Sequence, residues 1–367
     1  MITLFNYKER IKRYKPRYVQ AYSDALDRIE DWLSYGTGEK YTPNRNLLAE
    51  HCKSISGIDN WHLLNCCSDA LQASIVALTN PGDKVIISCF NFIAVPQSVL
   101  WVNRQIVFCD VGKDSLIDLN SLSKAIDLHP DAKAVIVTHY LGRVQDCKPI
   151  RDMIPPHMKI IEDAANAFYF PGDPCEPYGK YSDVVCYSFD MSKGPASTGN
   201  GGAIASKDPE LLNHIREMTQ QGFNRTRTDF ISPARKSSMD DTTASIIFED
   251  FKICAETKVR ETRRVIHKRF EKEIERKQLE GENSGCFMFI CFPEKLSPTE
   301  AKKMFKDNGV QATSFSPLLT ELNAFKHCYN VGDEYGKYIS DNHLRLPCHE
   351  FLTEENQKLI IELGNKS

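Results

Sequence analysis

Short and nearly continuous apolar runs alternate with amphipathic segments between about residues 61 and 206. A run without polar alternation is typical of a strand that is covered on both faces. Amphipathic segments such as 69–78 and 119–126 lie between these runs. This alternation predicts an α/β fold with a mostly parallel sheet and helices on both sides. The predicted strands are 61–65, 84–88, 106–109, 134–139, 159–162, 183–189 and 202–206.

The pattern changes near residue 240. Residues 241–280 predict long, charged helices with a partial apolar stripe, and 286–292 predicts a strand. Ser297 and Glu300 have the spacing of a capping box, which predicts a helix to Gly309, and a last helix is expected after Thr353. We therefore predict a large α/β domain over residues 1–240 and a smaller α+β domain over residues 241–367.

The overall composition argues against several classes of function. Lys and Arg number 46 and Asp and Glu 49, so the net charge is −3, which does not favour binding to nucleic acid or an anionic membrane. No apolar stretch approaches the roughly 18 residues of a membrane span. The N-terminus is charged and has no apolar region of signal-peptide length, so we expect a cytoplasmic protein.

The chain contains thirteen cysteines. They include no C-x-x-C pair, and Cys66 and Cys67 are adjacent, which suits neither a chelating pair nor an easy disulfide. We expect reduced thiols that pack as small apolar groups, and no metal site.

Two residues that can carry chemistry follow predicted strands. Lys193 lies in a Gly-, Pro- and Ser-rich loop, and Asp163 ends the apolar run before it. The carboxyl ends of strands in open α/β sheets are where ligands bind, and a lysine there can form a Schiff base with a carbonyl. Taken alone, Lys193 could equally be a solvated loop residue and Asp163 a helix cap.

Two further segments also follow predicted strands. Ser68 and Asp69 fall at the start of a predicted helix, where backbone N–H groups and the helix dipole favour an anion, although an ordinary N-cap would look the same. Phe92 could stack on a planar ring or could pack in the core. A phosphate site, an aromatic face, a carboxylate and a Schiff-base lysine are together what pyridoxal 5′-phosphate requires.

From about residue 36 to residue 363, the sequence resembles the DegT-type nucleotide-sugar aminotransferases, a branch of the fold-type I pyridoxal-phosphate enzymes. The most specific matches are the segments around Asp163 and Lys193. The others are 68–71, 80–86 with 90–94, 107–111, 138–142, 187–189, 201–202, 345–349 and 352–355.

The resemblance implies a role for each matching residue. Lys193 would be the Schiff-base lysine, and Asp163 would be the partner of the pyridine nitrogen. Ser68 and Ser188 would contact the phosphate, with Asp69 near them. Phe92 would stack on the ring and Asn166 would lie near the ring hydroxyl. These residues and Lys236 complete the predicted site.

The resemblance also implies a reaction and its partners. An amino group would pass from an amino acid, usually glutamate, to a keto group on a nucleotide-linked sugar, through a pyridoxamine form of the cofactor. A cytoplasmic homodimer with shared active sites is expected. The alternatives are another pyridoxal-phosphate reaction, such as sugar dehydration or C–S lysis, and a non-catalytic relative that binds cofactor or sugar. The dehydratases of this group carry histidine in place of the lysine, which Lys193 argues against.

The sequence departs from the family pattern at four positions. Cys67 replaces a glycine of the phosphate loop, Asn166 stands where glutamine is typical, and Asp190 stands where histidine is common. An asparagine that reaches a neighbouring subunit's phosphate is usual near 236, where Lys236 could substitute as a cation. The basic stretch 222–236 could meet a nucleotide diphosphate or could be a solvated loop.

Overall fold

A computed structural model describes residues 1–28, 42–170, 175, 177–224, 228–231, 234–281, 283–314 and 317–367. Its strands are β1 (Asn60–Leu64), β2 (Lys84–Ser88), β3 (Gln105–Cys109), β4 (Ala134–Thr138), β5 (Lys159–Asp163), β6 (Val184–Ser188), β7 (Gly202–Ser206), β8 (Met288–Cys291), β9 (Tyr329–Asn330) and β10 (Leu344–Pro347). Every strand predicted from the apolar runs is present, within two residues at either end.

The helices of the same residues are α1 (Tyr7–Arg28), α2 (Pro43–Ser56), α3 (Cys67–Leu78), α4 (Ala94–Trp101), α5 (Leu119–Leu128), α6 (Cys147–Met153), α7 (Pro209–Thr219), α8 (Asp241–Glu256), α9 (Val259–Glu273), α10 (Pro298–Asp307), α11 (Glu334–Asn342) and α12 (Glu354–Lys366). The predicted capping box is present at the start of α10, where Ser297 accepts from the backbone of Glu300.

Eight strands form one sheet in the order β1-β7-β6-β5-β4-β2-β3-β9. Strand β7 is antiparallel to both of its neighbours, whereas the other neighbouring pairs are parallel. The prediction of a mostly parallel α/β sheet is therefore confirmed.

The central strands are covered on both faces. In β2, Val85 and Ile87 pack in one apolar cluster, while Ile86 between them packs in another. Because successive side chains point to opposite faces, a strand buried on both sides has no polar position to spare. This arrangement is the reason for the continuous apolar runs.

A second, smaller core lies in the C-terminal part of the chain. Strands β8 and β10 pair antiparallel there, and Phe270, Phe289 and Phe305 pack with the apolar residues of α9, α10 and α12. The preceding helix α8 instead packs Ile247 and Phe251 with the cluster on one face of the large sheet. The division of the chain into two domains at residue 240 stays a prediction.

Helices α1 and α2 were not predicted from the sequence. Helix α1 is charged along most of its length, and its buried residues are Arg10, Tyr18 and Ala25. Apolar and aromatic residues such as Ile11, Tyr14 and Tyr18 recur along α1 at helical spacing, so a periodic signal is present. The burial of Arg10 depends instead on polar partners. Of the helices in the described ranges, none combines the length and the apolar character that crossing a bilayer requires.

Candidate active site

Most of the predicted site residues line one cavity of about 370 Å³ at the carboxyl ends of the parallel strands. Asp163 is the last residue of β5 and Ser188 the last of β6, so both side chains emerge at the same edge of the sheet. The predicted residues that line the cavity are Ser68, Phe92, Asp163, Asn166, Ser188 and Lys193.

Asp163 forms the buried carboxylate of the cavity. Its side chain is 3% exposed, and its Oδ1 accepts a 3.0 Å hydrogen bond from the backbone N–H of Ala165. Burial raises the pKa of the Asp163 carboxyl above its ordinary value. A buried carboxylate of this kind is stabilised in its charged form by a cationic group in the same cavity.

Lys193 and Asn166 meet within the cavity. The Nζ of Lys193 donates a 3.0 Å hydrogen bond to Oδ1 of Asn166. The loop that carries the lysine is held by backbone hydrogen bonds, including one from the N–H of Lys193 to the carbonyl of Asp190. Lys193 is half-buried rather than solvated, because the loop directs its amine toward the sheet edge.

Thr138 and Asn91 support the Asp163 carboxylate and were not identified from the sequence. The Oγ1 of Thr138 lies 3.5 Å from Oδ2 of Asp163, and it accepts a 2.8 Å hydrogen bond from Nδ2 of Asn91. The hydroxyl of Thr138 thus accepts from Asn91 and donates its own proton toward the Asp163 carboxylate. The signal that could have indicated them is their position, since Thr138 is the last residue of β4 and Asn91 follows β2.

The N-terminus of α3 forms one wall of the cavity. Cys66 is the N-cap residue, and its Sγ accepts from the backbone N–H of Asp69. The first helical residues, Cys67 and Ser68, line the cavity. This end of the helix therefore presents the backbone N–H groups and the positive dipole end that favour an anion.

Glycine at position 202 permits the close approach of β7 to the start of α3. A Cβ at Gly202 would lie 2.3 Å from the backbone carbon of Cys66 and 2.6 Å from the nitrogen of Cys67. The backbone of β7 thus supports the helix terminus directly. Cys67 is accommodated in this phosphate-loop position with its Sγ 4.0 Å from Oδ1 of Asp163.

Two of the predicted residues, Asp69 and Lys236, are not among the residues that line the cavity. The carboxylate of Asp69 accepts a 2.9 Å hydrogen bond from the guanidinium of Arg235, and so it is turned toward the loop that carries this arginine. Lys236 is exposed and lies where that loop pairs with Gln220. Of the predicted basic loop, residues 225–227 and 232–233 lie outside the described residues.

Phe92 lines the cavity and is 58% exposed. It follows Asn91, whose Oδ1 accepts from the backbone N–H of Phe92 at 2.7 Å. The aromatic ring is thus a wall of the cavity rather than a core residue, which leaves its face accessible to a planar ligand.

The structure adds charged residues that sequence reasoning did not assign to the cavity. Arg345 of β10 lines it and donates from Nη2 to the carbonyl of Ser314 at 2.8 Å. Burial lowers the pKa of the Arg345 guanidinium below its ordinary value. Asp190 also lines the cavity, and its Oδ1 accepts from the Ser192 hydroxyl at 2.6 Å.

These groups fit pyridoxal 5′-phosphate. Asp163 can accept a hydrogen bond from a protonated ring nitrogen, and the Lys193 amine can form a Schiff base with an aldehyde. The N-terminus of α3, together with Ser68 and Ser188, can bind a phosphate. The burial of the Asp163 carboxyl in the cavity wall is the observation that favours a cationic ring, because a buried carboxylate needs a positive partner. In the described ranges, no three His, Cys, Asp or Glu side chains are grouped so as to hold a metal ion.

Comparison with known proteins identifies relatives of the whole chain and of part of it. A model of the DegT/DnrJ/EryC1/StrS aminotransferase family matches residues 21–363. A solved structure of a DegT DnrJ EryC1 StrS aminotransferase from Brucella abortus covers 100% of this chain and 99% of its own, with a TM-score of 0.88 and 21% identity. This likeness confirms the predicted fold.

Curated relatives match over shorter stretches. A UDP-N-acetyl-3-dehydro-alpha-D-glucosamine 3-aminotransferase of Acidithiobacillus ferrooxidans is 32% identical over 205 residues, 55% of this chain and 53% of the relative. A UDP-2-acetamido-2-deoxy-3-oxo-D-glucuronate aminotransferase of Pseudomonas aeruginosa is 31% identical over 203 residues, 53% of this chain and 55% of the relative. The match therefore spans about half the length of these relatives.

Proposed function

Since the chain belongs to the DegT/DnrJ/EryC1/StrS aminotransferase family, we propose that it is a pyridoxal 5′-phosphate-dependent aminotransferase. Its substrates would be an amino acid and a keto group on a nucleotide-linked sugar. The observation that carries this proposal is the placement of Lys193 and Asp163 in one cavity at the strand ends. A buried acid at the end of one strand and an amine in the loop after the neighbouring strand are the pair that such a cofactor needs.

The residues of the cavity would divide the binding of the cofactor among them. Ser68, Ser188 and the N-terminus of α3 would hold the phosphate. Phe92 would cover one face of the ring, and Asn166 would orient the Lys193 amine through the hydrogen bond already present. Thr138 and Asn91 would hold the Asp163 carboxylate toward the ring nitrogen.

When bound, the cofactor supplies an electron sink that allows an amino group to leave one carbon and be added to another. Lys193 would carry the cofactor, and its amine, once released by the incoming substrate, would take up and give back protons as a general base and acid. Asp163 would remain charged opposite the ring nitrogen. The half-buried position of Lys193 would limit the access of water to its amine.

Arg345 supports an acidic amino donor such as glutamate. A partly buried guanidinium on the cavity wall is suited to a bidentate contact with a carboxylate. An amino acid offers such a carboxylate, and glutamate offers two. The acceptor would be a nucleotide-linked keto-sugar, because both curated relatives described above are named for UDP-linked sugars.

We further propose a cytoplasmic homodimer in which Lys236 acts on the partner's cofactor phosphate. Lys236 is exposed beside Arg235, outside the described lining of its own chain's cavity. Mixing Lys193→Ala and Lys236→Ala subunits tests this role. Activity should return in the mixture if Lys236 acts across subunits, since mixed dimers then contain one intact site. No recovery in confirmed mixed dimers contradicts the shared site.

The test of the main proposal is spectral and covalent. Protein reconstituted with pyridoxal 5′-phosphate should be yellow, and borohydride should attach the cofactor to the peptide that contains Lys193. Glutamate alone should then bleach the yellow band as its keto acid forms, and a panel of nucleotide-linked keto-sugars should restore the band. A colourless preparation that cannot be reconstituted, or attachment to a different lysine, contradicts the proposal.

The matched control for this test is Lys193→Ala. This variant should bind the cofactor without covalent attachment and should show no amino transfer, while its far-ultraviolet circular dichroism stays that of the wild type. Retained amino transfer would remove Lys193 from the role proposed for it.

A further inference from the structure

A buried ion pair lies directly behind the Lys193 loop. Arg10 of α1 pairs through Nη2 with Oδ2 of Asp250 of α8, and the two residues are 8% and 0% exposed. The phenol of Tyr18, about two helical turns further along α1, donates to Oδ1 of the same carboxylate at 2.5 Å. The pair is thus enclosed between α1 and α8.

Both members of the pair also bind the backbone of the lysine loop. Arg10 donates from Nη1 to the carbonyl of Lys193 at 3.0 Å. Asp250 accepts through Oδ2 from the backbone N–H of Ala196 at 2.7 Å. The loop from 193 to 196 is therefore held at its first residue by the cation and at its last residue by the anion.

The cost of burying these charges argues that their position matters. Removing two charges from water is unfavourable unless they pair closely and their remaining hydrogen-bonding groups are satisfied. Here the additional hydrogen bonds go to the loop that bears Lys193 and to Tyr18. An apolar pair could join α1 to α8 as well, but it could not hold a carbonyl and an N–H group of this loop.

We propose that Arg10 and Asp250 are positioning residues that fix the backbone of Lys193 and so direct its amine into the cavity. The inference rests on the proposed function, because it assigns significance to the reach of that amine. Neither residue is among those that line the described cavity, so they would act through the loop rather than on a ligand. Helices α1 and α8 would in this way contribute to the chemistry at Lys193.

The first measurement is hydrogen exchange in the protein without cofactor. Arg10→Gln and Asp250→Asn should increase amide exchange at Ala196 at least tenfold, because each variant loosens one or both anchors of the loop. Amides in the core of the sheet, such as that of Ile161, should exchange as in the wild type. This readout does not depend on catalysis.

The second measurement separates rate from affinity in the holoenzyme. Both variants should slow borohydride-trappable attachment of the cofactor to Lys193 and should lower kcat with glutamate at least tenfold, whereas KM should change less than twofold. Arg10→Lys keeps the cation and should recover part of kcat. A purely structural role would instead lower the melting temperature and leave the rate intact well below that temperature.

Arg17 provides a matched control on the same two helices. It joins α1 to α8 through Glu249, at 2.6 Å from its Nε, and through Glu256, and both of these partners lie outside the 193–196 loop. Arg17→Gln should leave loop exchange and kcat unchanged. If Arg17→Gln slows the reaction as much as Arg10→Gln, the effect belongs to helix docking and the proposal is overturned.

A variant with one unpaired buried charge could fail to fold, so Arg10→Met combined with Asp250→Leu is the second test. It leaves no lone charge but removes both anchors, and it should show the same fast exchange at Ala196 and the same loss of kcat. Wild-type rates in this folded variant overturn the positioning role alone. Absence of cofactor attachment in the wild type would instead overturn the proposed function.

Discussion

The amine of Lys193 lies 3.0 Å from the side-chain oxygen of Asn166, although the two residues are 27 positions apart along the chain. One residue follows the end of β5 and the other follows β6, so the pairing of these two strands brings them together. The contact gives the amine a defined direction before any ligand is present. A substitution of Asn166 would therefore change the position of the Lys193 amine without replacing the lysine.

Replacing Asn166 by Ala should weaken the cofactor site. A hydrogen bond to a charged group contributes about 1.5–3 kcal/mol, so cofactor affinity should fall roughly 10- to 100-fold. The dissociation constant can be measured by titrating the apoprotein with pyridoxal 5′-phosphate and following the yellow band. Asn166→Gln restores an acceptor of greater length and is the control. An Ala variant with wild-type affinity would contradict this use of the contact.

Asp163→Asn should stabilise the protein without the cofactor at neutral pH but lower kcat when the cofactor is bound. Without it, burial raises the pKa of the folded carboxyl, so the folded protein binds this proton more tightly than the unfolded chain does. The stabilisation that the Asp163 carboxyl contributes to the folded state is therefore fully present below its unfolded pKa and is lost as the pH rises through its folded pKa. The uncharged Asn variant of the apoprotein should accordingly be the more stable one at neutral pH.

Urea denaturation of the two apoproteins across acidic to neutral pH checks this sign, and the difference should shrink as the pH falls toward 3.8, the ordinary value for the carboxyl. With cofactor, the same variant should lose roughly 10²- to 10³-fold in kcat, the range typical of removing one group that stabilises charge in an active site. An Asn variant that is less stable at neutral pH would show that the wild-type carboxylate is compensated in the apoprotein.

Arg345→Gln should raise KM for glutamate. Loss of one charge-assisted contact corresponds to about 1.5–3 kcal/mol, or roughly a 10- to 100-fold increase, with little change in the maximal rate of the first half-reaction. Stopped-flow bleaching of the yellow band at several glutamate concentrations separates the two constants. Arg345→Lys keeps a positive charge without the planar guanidinium, so its KM should lie between those of the wild type and Arg345→Gln. An unchanged KM would place the carboxylate of the donor elsewhere.

Gly202→Ala should disturb both the fold and the phosphate end of the site. Its Cβ would lie 2.3 Å from the backbone of Cys66, and relief of such overpacking costs typically about 1–3 kcal/mol. Because the backbone of Cys66 leads into α3, cofactor affinity should fall as well. Gly199→Ala is the matched control, since no atom lies within 4 Å of a Cβ built there. Equal effects of the two substitutions would contradict the close-approach argument.

The sequence predicted the strands well because their signal is local. The run at 84–88 has three consecutive apolar residues at its centre, and the structure places Val85 and Ile86 in apolar clusters on opposite faces of β2. A strand covered on both sides needs such a run irrespective of what surrounds it. Helix α1 is amphipathic, but its local pattern does not show that Arg10 is buried, because the partner Asp250 is 240 positions away.

The sequence by itself determined the α/β alternation, the family resemblance and the residue types at the strand ends, since each depends on neighbours in the chain. Only the tertiary structure decided which of those side chains meet. It turned Asp69 toward Arg235, added Arg345 to the cavity and placed Arg10 behind Lys193. Such meetings depend on strand order and helix packing, which join residues far apart in the chain and leave no periodic trace in it.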